Sequence, residues 1–339
     1  MANITQYLEI ILNGKDLTFE QAKTLQDTIF EGQVTDVQIA AFLAMMRMKR
    51  ATPGEIAGLA QSLRDHVTRV HVDLENVIDT CGTGGAAVKT FNISTGSAFV
   101  AAGAGAYVAK HGNRGITSRC GSADVMEELG VNIDRGPDVV AECIREAHIG
   151  FMFAPKFHPA MRFVQSIRKS LDFRTAFNIL GPLANPAGVR AQVMGVSDPE
   201  LLDRIIESLK MLGARRAMVV HGQGMDEISL LGKTRVVELR DGWVTSFLLD
   251  PVEYGIANAS LDALGSGDAI ANAAVIREIL AGREKGPKRD IVVLNSAAAI
   301  IVAGLADSFS QAIPLAQASI DGGKALHCLE RLVEVSNRT

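Results

Sequence analysis

The sequence predicts an α/β protein: a small N-terminal helical domain, then a larger α/β domain with a mostly parallel central sheet. Three observations carry that prediction. Residues 1 to about 66 hold three successive helix-start signatures. From about residue 73, short apolar runs of strand length alternate with helical stretches. Near residue 241, two β-rich runs flank an Asp-Gly dipeptide.

The helix starts are Thr18 with Gln21, Thr35 with Gln38, and Thr52 with Glu55. Each fits a capping box, in which the hydroxyl and the residue three positions on satisfy each other's backbone N–H groups. Pro53 adds the residue best suited to a first helical position. Val37, Ala40, Ala41, Ala44 and Met48 recur at helical spacing. Together with Met45 and Met46 they read as core or dimer packing rather than a pliable binding face. Strand candidates are 76–79, 106–110, 150–153, 191–195, 216–221 and 292–294, and their alternation with helices indicates a largely parallel sheet. Residues 235–240 and 243–249, joined by Asp241-Gly242, read as a β-hairpin. Segment 159–188 interrupts the alternation with a basic helical stretch and a proline-rich turn.

Composition narrows the function classes. The chain has 339 residues, 47% apolar and 21% charged, which describes an ordinary globular protein with room for one large or two smaller cores. A net charge of −4 argues against a general nucleic-acid binder, whose affinity rests on neutralising phosphates. Cys81, Cys120, Cys143 and Cys328 are widely spaced, unlike a secreted disulfide scaffold. The start, Met1-Ala2-Asn3-Ile4, lacks a basic leader, and no apolar run reaches about 18 residues. A cytoplasmic enzyme without membrane contact is the expectation.

The chemistry concentrates in one stretch. The apolar run Val77-Ile78-Asp79 leads through Thr80-Cys81 into Gly82-Thr83-Gly84-Gly85, and Thr90, Asn92, Ser94 and Thr95 precede a helix-like run beginning near Gly96. Glycine lets backbone N–H groups approach a ligand, and a helix N-terminus adds unpaired donors and partial positive charge. Such a surface suits a phosphate or pyrophosphate. It is neither Gly-x-Gly-x-x-Gly nor a P-loop. Downstream, Lys110-His111-Gly112-Asn113-Arg114 ends a short strand, and Gly121-Ser122-Ala123-Asp124 opens a helix.

These runs closely resemble the anthranilate phosphoribosyltransferase family. The resemblance continues through His158-Pro159-Ala160-Met161, Arg168-Lys169, the stretch from Arg174 to Pro186, and Gly224-Met225-Asp226-Glu227-Ile228-Ser229, in the family's order along essentially the whole chain. It implies a fold of the nucleoside phosphorylase and phosphoribosyltransferase type. The expected helical domain is 1–72, with 160–188 returning to it, and the α/β domain is 73–159 with 189–339. The active site would lie in the cleft between them.

The implied reaction transfers a phosphoribosyl group from 5-phosphoribosyl 1-pyrophosphate (PRPP) to the amine of anthranilate, in tryptophan biosynthesis. An aromatic amine is a neutral nucleophile at pH 7, so positioning and charge stabilisation matter more than a strong base. No catalytic base is proposed. The resemblance assigns Gly82, Thr83, Gly84, Gly85, Thr90, Asn92, Ser94, Thr95, Lys110 and Ser122 to PRPP, with Lys110 as a mobile point charge. It assigns Gly82, His111, Asn113, His158, Arg168, Gly181 and Pro182 to anthranilate. Arg168 suits a carboxylate bidentately, with Lys169 beside it as the alternative. Asp226 and Glu227, with Ser94, are the implied Mg²⁺ ligands, because a hard ion takes carboxylates and phosphate oxygens. The implied partners are a second copy of the chain and an anthranilate synthase subunit. Cys81 has no identifiable base partner and reads as packing.

Two departures stand out. The family loop usually continues Gly-Gly-Asp, whereas here Ala86 follows Gly84-Gly85. Altered magnesium dependence, rather than lost activity, is the expectation. Ala271 replaces a usual glutamate before Asn272-Ala273, with little expected consequence. The competing readings are a pyrimidine nucleoside phosphorylase and a non-catalytic nucleic-acid-binding paralogue. The phosphorylase would carry a Lys-His-Ser-Gly-Arg-like run instead of Lys110-His111-Gly112-Asn113-Arg114. The paralogue draws support only from Ala86.

Overall fold

A computed structural model describes residues 4–115 and 120–338. The Met1-Ala2-Asn3 stretch read above lies outside them. Four helices come first: α1 (Ile4–Leu12), α2 (Phe19–Phe30), α3 (Asp36–Lys49) and α4 (Pro53–Asp65). All three capping boxes form as the sequence predicts, at Thr18, Thr35 and Thr52. Each such cap contributes about 1 kcal/mol. Ile39, Phe42, Leu43 and Met46 are the buried face of α3. The stripe named from sequence runs along other faces, with Val37 79% and Met48 85% exposed. Apolar residues occur all around this helix, so periodicity alone did not select the core face.

The remaining elements alternate: β1 (Ile78–Gly82), α5 (Ile93–Gly103), β2 (Val108–Gly112), α6 (Ser122–Glu128), α7 (Pro137–Ala147) and β3 (Ile149–Phe153). Then follow α8 (Ala154–Phe157), α9 (Arg162–Leu171), α10 (Phe177–Leu180), β4 (Ala191–Gly195), α11 (Leu201–Met211) and β5 (Arg216–His221). The hairpin β6 (Thr234–Arg240) and β7 (Trp243–Leu249) precedes α12 (Ala269–Leu280), α13 (Pro287–Val302), α14 (Phe309–Asp321) and α15 (Lys324–Ser336). The sheet order is β3-β2-β1-β4-β5-β6-β7, parallel from β3 to β5 and antiparallel beyond. Asp241 and Gly242 both take positive φ, as a tight hairpin turn requires. The first strand starts at Ile78 rather than residue 76 because Asn76 sits at φ 55°.

One predicted strand is wrong. Residues 292–294 lie inside α13, where Ile291 to Val302 are all buried. A short apolar run has no period that separates a buried strand from a helix enclosed on every side. This helix threads the core between α5 and α14. Segment α9–α10 packs with the N-terminal helices, and Val164, Ile167, Phe177 and Leu180 share a core with Phe42 and Leu59.

Chain direction sets where a ligand can sit. From β1 the chain runs outward to β2 and β3, then returns to the other side of β1 as β4 and β5. Gly82 and Gly195 are register partners at the carboxyl ends of that junction. Loops that diverge at such a switch point leave a crevice outside the strand ends.

Candidate active site

A cleft of about 350 Å³ opens at that switch point. Its floor is the loop after β1. Thr83 N–H donates to the Gly195 carbonyl (2.9 Å), and Thr83 Oγ1 accepts from Ser197 N (3.1 Å). A Cβ on Gly82 would lie 2.8 Å from Asp226 Oδ2, and one on Gly85 would lie 1.0 Å from Arg174 Nη2. Gly85 also holds φ +71°, so bare backbone is required twice over at that residue. Arg174 donates to the Gly84 carbonyl (3.2 Å) and Ser197 Oγ (3.1 Å), pinning the loop from the α9–α10 side.

The acidic pair closes the opposite side. Asp226 Oδ2 accepts from Gly84 N (3.1 Å), and Glu227 Oε1 accepts from Ser94 N near the start of α5 (3.2 Å). Asn295 of α13 braces this loop from below, accepting from Ile228 N (2.9 Å) and donating to Ile228 O (2.8 Å). Burial raises the Asp226 carboxyl, and burial followed by the neighbouring Asp226 charge pushes Glu227 up to about 8. Among the described residues, no group of three or more His, Cys, Asp or Glu is arranged to hold a metal alone. Two adjacent carboxylates under electrostatic stress fit a hard divalent ion that completes its shell with substrate phosphate oxygens and water.

Lys110 is not the mobile charge expected from sequence. It is buried, and its Nζ donates to Thr80 O at 2.6 Å, with Thr80 Oγ1 at 3.4 Å. Burial lowers its pKa, and Asp79 and Glu227 counter the shift. Asp79 is itself fully buried, accepts from Asn185 (2.8 Å), and is raised by that burial to about 6. Thus the cation is held in place by the strand it neighbours.

His111, Asn113, Gly181 and Pro182 also line the cleft. His111 Nε2 stands 3.0 Å from His158 Nε2, and the nearby Gly181 backbone offsets part of the cost of charging His111. Burial depresses both imidazoles, His158 to about 4, so the pair is neutral at pH 7. Neither is tuned as a base for that pH.

Gly82, Thr83, Gly84, Gly85, Thr90, Asn92, Ser94, Lys110, Ser122, Asp226 and Glu227 all line the same cleft. Thr95, His158 and Arg168 are not among its lining residues. Thr95 is fully buried and its hydroxyl has no partner. Arg168 is half-buried, with its guanidinium 5.3 Å from the centre of the Phe177 ring, whereas Lys169 is exposed. Sequence reasoning missed Lys89, Arg174 and Asn178, which also line the cleft. Arg174 lay inside the motif read from sequence, but only the fold brings it to Gly85. Cys81 lines the cleft too, yet burial pushes its thiol well above the usual range, which leaves it inert.

This geometry defines a glycosyl transferase built from a helical bundle and an α/β domain. The glycosyl transferase helical bundle domain matches residues 5–67, and the glycosyl transferase a/b domain matches residues 74–326. Anthranilate phosphoribosyltransferase of Desulfatibacillum aliphaticivorans is 48% identical over 331 residues, 97% of this chain and 98% of the relative. That of Chloroflexus aggregans is 47% identical over 336 residues, 98% of each. The crystal structure of the Thermus thermophilus anthranilate phosphoribosyltransferase superposes with a TM-score of 0.93 at 41% identity, covering 98% of this chain and 99% of that one. The Saccharomyces cerevisiae one, in complex with PRPP and Mg, gives 0.89 at 28% identity, covering 98% and 97%. The chain belongs to the anthranilate phosphoribosyltransferase family.

Proposed function

We propose that this protein transfers the phosphoribosyl group of PRPP to the amine of anthranilate, giving N-(5-phosphoribosyl)anthranilate and pyrophosphate for tryptophan biosynthesis. One observation supports this above others: a glycine-rich turn, a helix start and an acidic pair converge on one cleft beside a neutral, histidine-lined wall. The donor is a polyanion whose leaving group gains charge while its C1 becomes electron-poor. Gly82, Thr83, Gly84 and Gly85 offer backbone and hydroxyl donors to its diphosphate and ribose. Thr90, Asn92, Ser94, Thr95 and Ser122 serve the phosphoryl groups, Thr95 from beneath through the helix start. Lys110 and Arg174 supply fixed positive charge, and Lys89 adds an exposed one.

Asp226, Glu227 and the Ser94 hydroxyl would hold Mg²⁺, which when bound offsets the charge of the departing diphosphate. Anthranilate lies against His111, Asn113, Gly181 and Pro182, with His158 fixing His111 and Arg168 receiving the carboxylate. The aromatic amine is unprotonated at pH 7 without help, so its lone pair forms the bond to C1 as the bond to the diphosphate oxygen breaks, and its surplus proton leaves late, to water. The assignment also divides the chain into a helical domain, 1–72 with 160–188, and an α/β domain, 73–159 with 189–339. A homodimer through the exposed apolar faces of the N-terminal helices, with Leu12, Val37 and Met48, completes the reading. No helix of the described residues is long and apolar enough to cross a membrane, and a cytoplasmic site of action belongs to the same proposal.

Product analysis tests the reaction. With anthranilate and PRPP, mass spectrometry should find the phosphoribosyl adduct. Release of a free base from a pyrimidine nucleoside and phosphate, with no adduct, would contradict it.

A further inference from the structure

The Asn272-Ala273 pair, next to the departure at Ala271, sits against the donor side of the cleft. Asn272 lies in the first turn of α12, is 2% exposed, and touches Asn92. An Asn amide can be turned either way, so its orientation must follow from unambiguous neighbours. Here it does. Gly267 N–H, which can only donate, meets Asn272 Oδ1 at 2.8 Å. That leaves Asn272 Nδ2 to donate to Asn92 Oδ1 at 3.1 Å, with Ser266 Oγ at 3.4 Å. Cys120 Sγ lies 3.5 Å from the same Asn92 oxygen. With Oδ1 turned to these donors, the Nδ2–H groups of Asn92, which lines the cleft, are left for a ligand.

Two further observations fit a relay of this kind. Asn92 occupies the N-cap of α5, yet its side chain makes no capping hydrogen bond, because its oxygen is engaged by Asn272. A β-bridge between Thr90 and Gly265 fastens the segment leading to Asn272 onto the same donor loop.

We propose that Asn272 is a positioning residue for the transfer: it fixes which face of the Asn92 amide meets the phosphoryl oxygens of the donor. The inference rests on the phosphoribosyl transfer proposed above. Anions need donors, and an inverted Asn92 would offer them an oxygen. Asn272→Asp keeps the shape and the acceptor for Gly267 but sets a carboxylate against Asn92 Oδ1, so the Asn92 amide turns over.

The test compares wild type, Asn272→Asp, Asn92→Ala and the double variant, reading KM for each substrate and the PRPP Kd by calorimetry. Asn272→Asp should weaken PRPP about tenfold and leave the anthranilate KM within about twofold, the loss of one donor–anion hydrogen bond. In the Asn92→Ala background the same change should add nothing. Equal effects on both substrates, or a full effect without Asn92, would overturn the inference. If Asn272→Asp fails to fold, Asn272→Ala is compared in the same two backgrounds with the same criteria. Wild-type PRPP binding with no change in either Asn272 variant would overturn this inference alone. Absence of PRPP binding by the folded wild type would overturn the transfer reading as well.

Discussion

The two walls of the cleft are built on different principles. The donor wall is backbone and fixed charge: Gly82 to Gly85 lie against Asp226 and Arg174, Ser94 N–H is tied to Glu227, and Lys110 is buried on Thr80. The acceptor wall is neutral and shaped: His111 backed by an uncharged His158, then Asn113 and the Gly181-Pro182 turn. A polyanion demands many donors held rigidly, because each unsatisfied group in a dry site is costly. A flat aromatic acid needs a slot and one cation. The contrast predicts that damage to the donor wall is severe and damage to the acceptor wall selective.

Removing the acidic pair should do most harm. Asp226→Ala with Glu227→Ala is expected to reduce Mg²⁺-dependent turnover by roughly 100-fold or more. Turnover that still follows Mg²⁺ normally would break the assignment. Next, Gly85→Ala places a Cβ on the Arg174 guanidinium, and a displacement of that size should lower donor turnover about 100-fold. Gly84→Ala is its internal control. Gly84 has φ +66° but nothing within 4 Å of an added Cβ, so the fold should lose only about 1 kcal/mol, which makes the variant a control for backbone strain read by stability rather than by donor binding. Equal losses of stability in the two variants would show that backbone strain, not Arg174, governs the loop.

The acceptor wall should answer differently. Arg168→Ala is expected to raise the anthranilate KM about 10- to 100-fold while leaving the donor KM nearly unchanged. Equal rises would reduce Arg168 to its contact with Phe177. The histidine pair gives a stability signature. His158 sits at about 4 in the folded protein against an ordinary 6.5, so on acidification the unfolded chain takes the proton first. The stability present above pH 6.5 is therefore lost as pH falls toward 4. Between pH 7.5 and 5 that amounts to about 2 kcal/mol, which denaturant titration of His158→Gln should find missing. Parallel stability profiles for variant and wild type would contradict it. The smallest effect belongs to Ala86→Asp, which should move the Mg²⁺ half-saturation point by roughly a fewfold. Superimposable Mg²⁺ titrations would remove any role for that departure.

The same two walls differ in how far the sequence disclosed them. The donor wall was legible because its parts are local: strand, glycines, hydroxyls and helix start follow one another within Asp79 to Thr95. Its supports were not. Arg174 reaches Gly84 across 90 residues, and Asn272 reaches Asn92 across 180. Asn295, which braces the acidic loop, lies next to the run misread as a strand at 292–294, since an enclosed helix shows no polar face. Lys110 was visible as a cation, but only its packing on Thr80 reveals that it is held still.

The central claim is metal-dependent transfer between PRPP and anthranilate in this cleft. Anthranilate fluorescence followed with PRPP, with and without Mg²⁺, tests it most directly, with pyrophosphate measured alongside. The account predicts loss of fluorescence with matching pyrophosphate release, both requiring Mg²⁺. A folded protein that leaves anthranilate unconsumed, or consumes it equally well without metal, would contradict it.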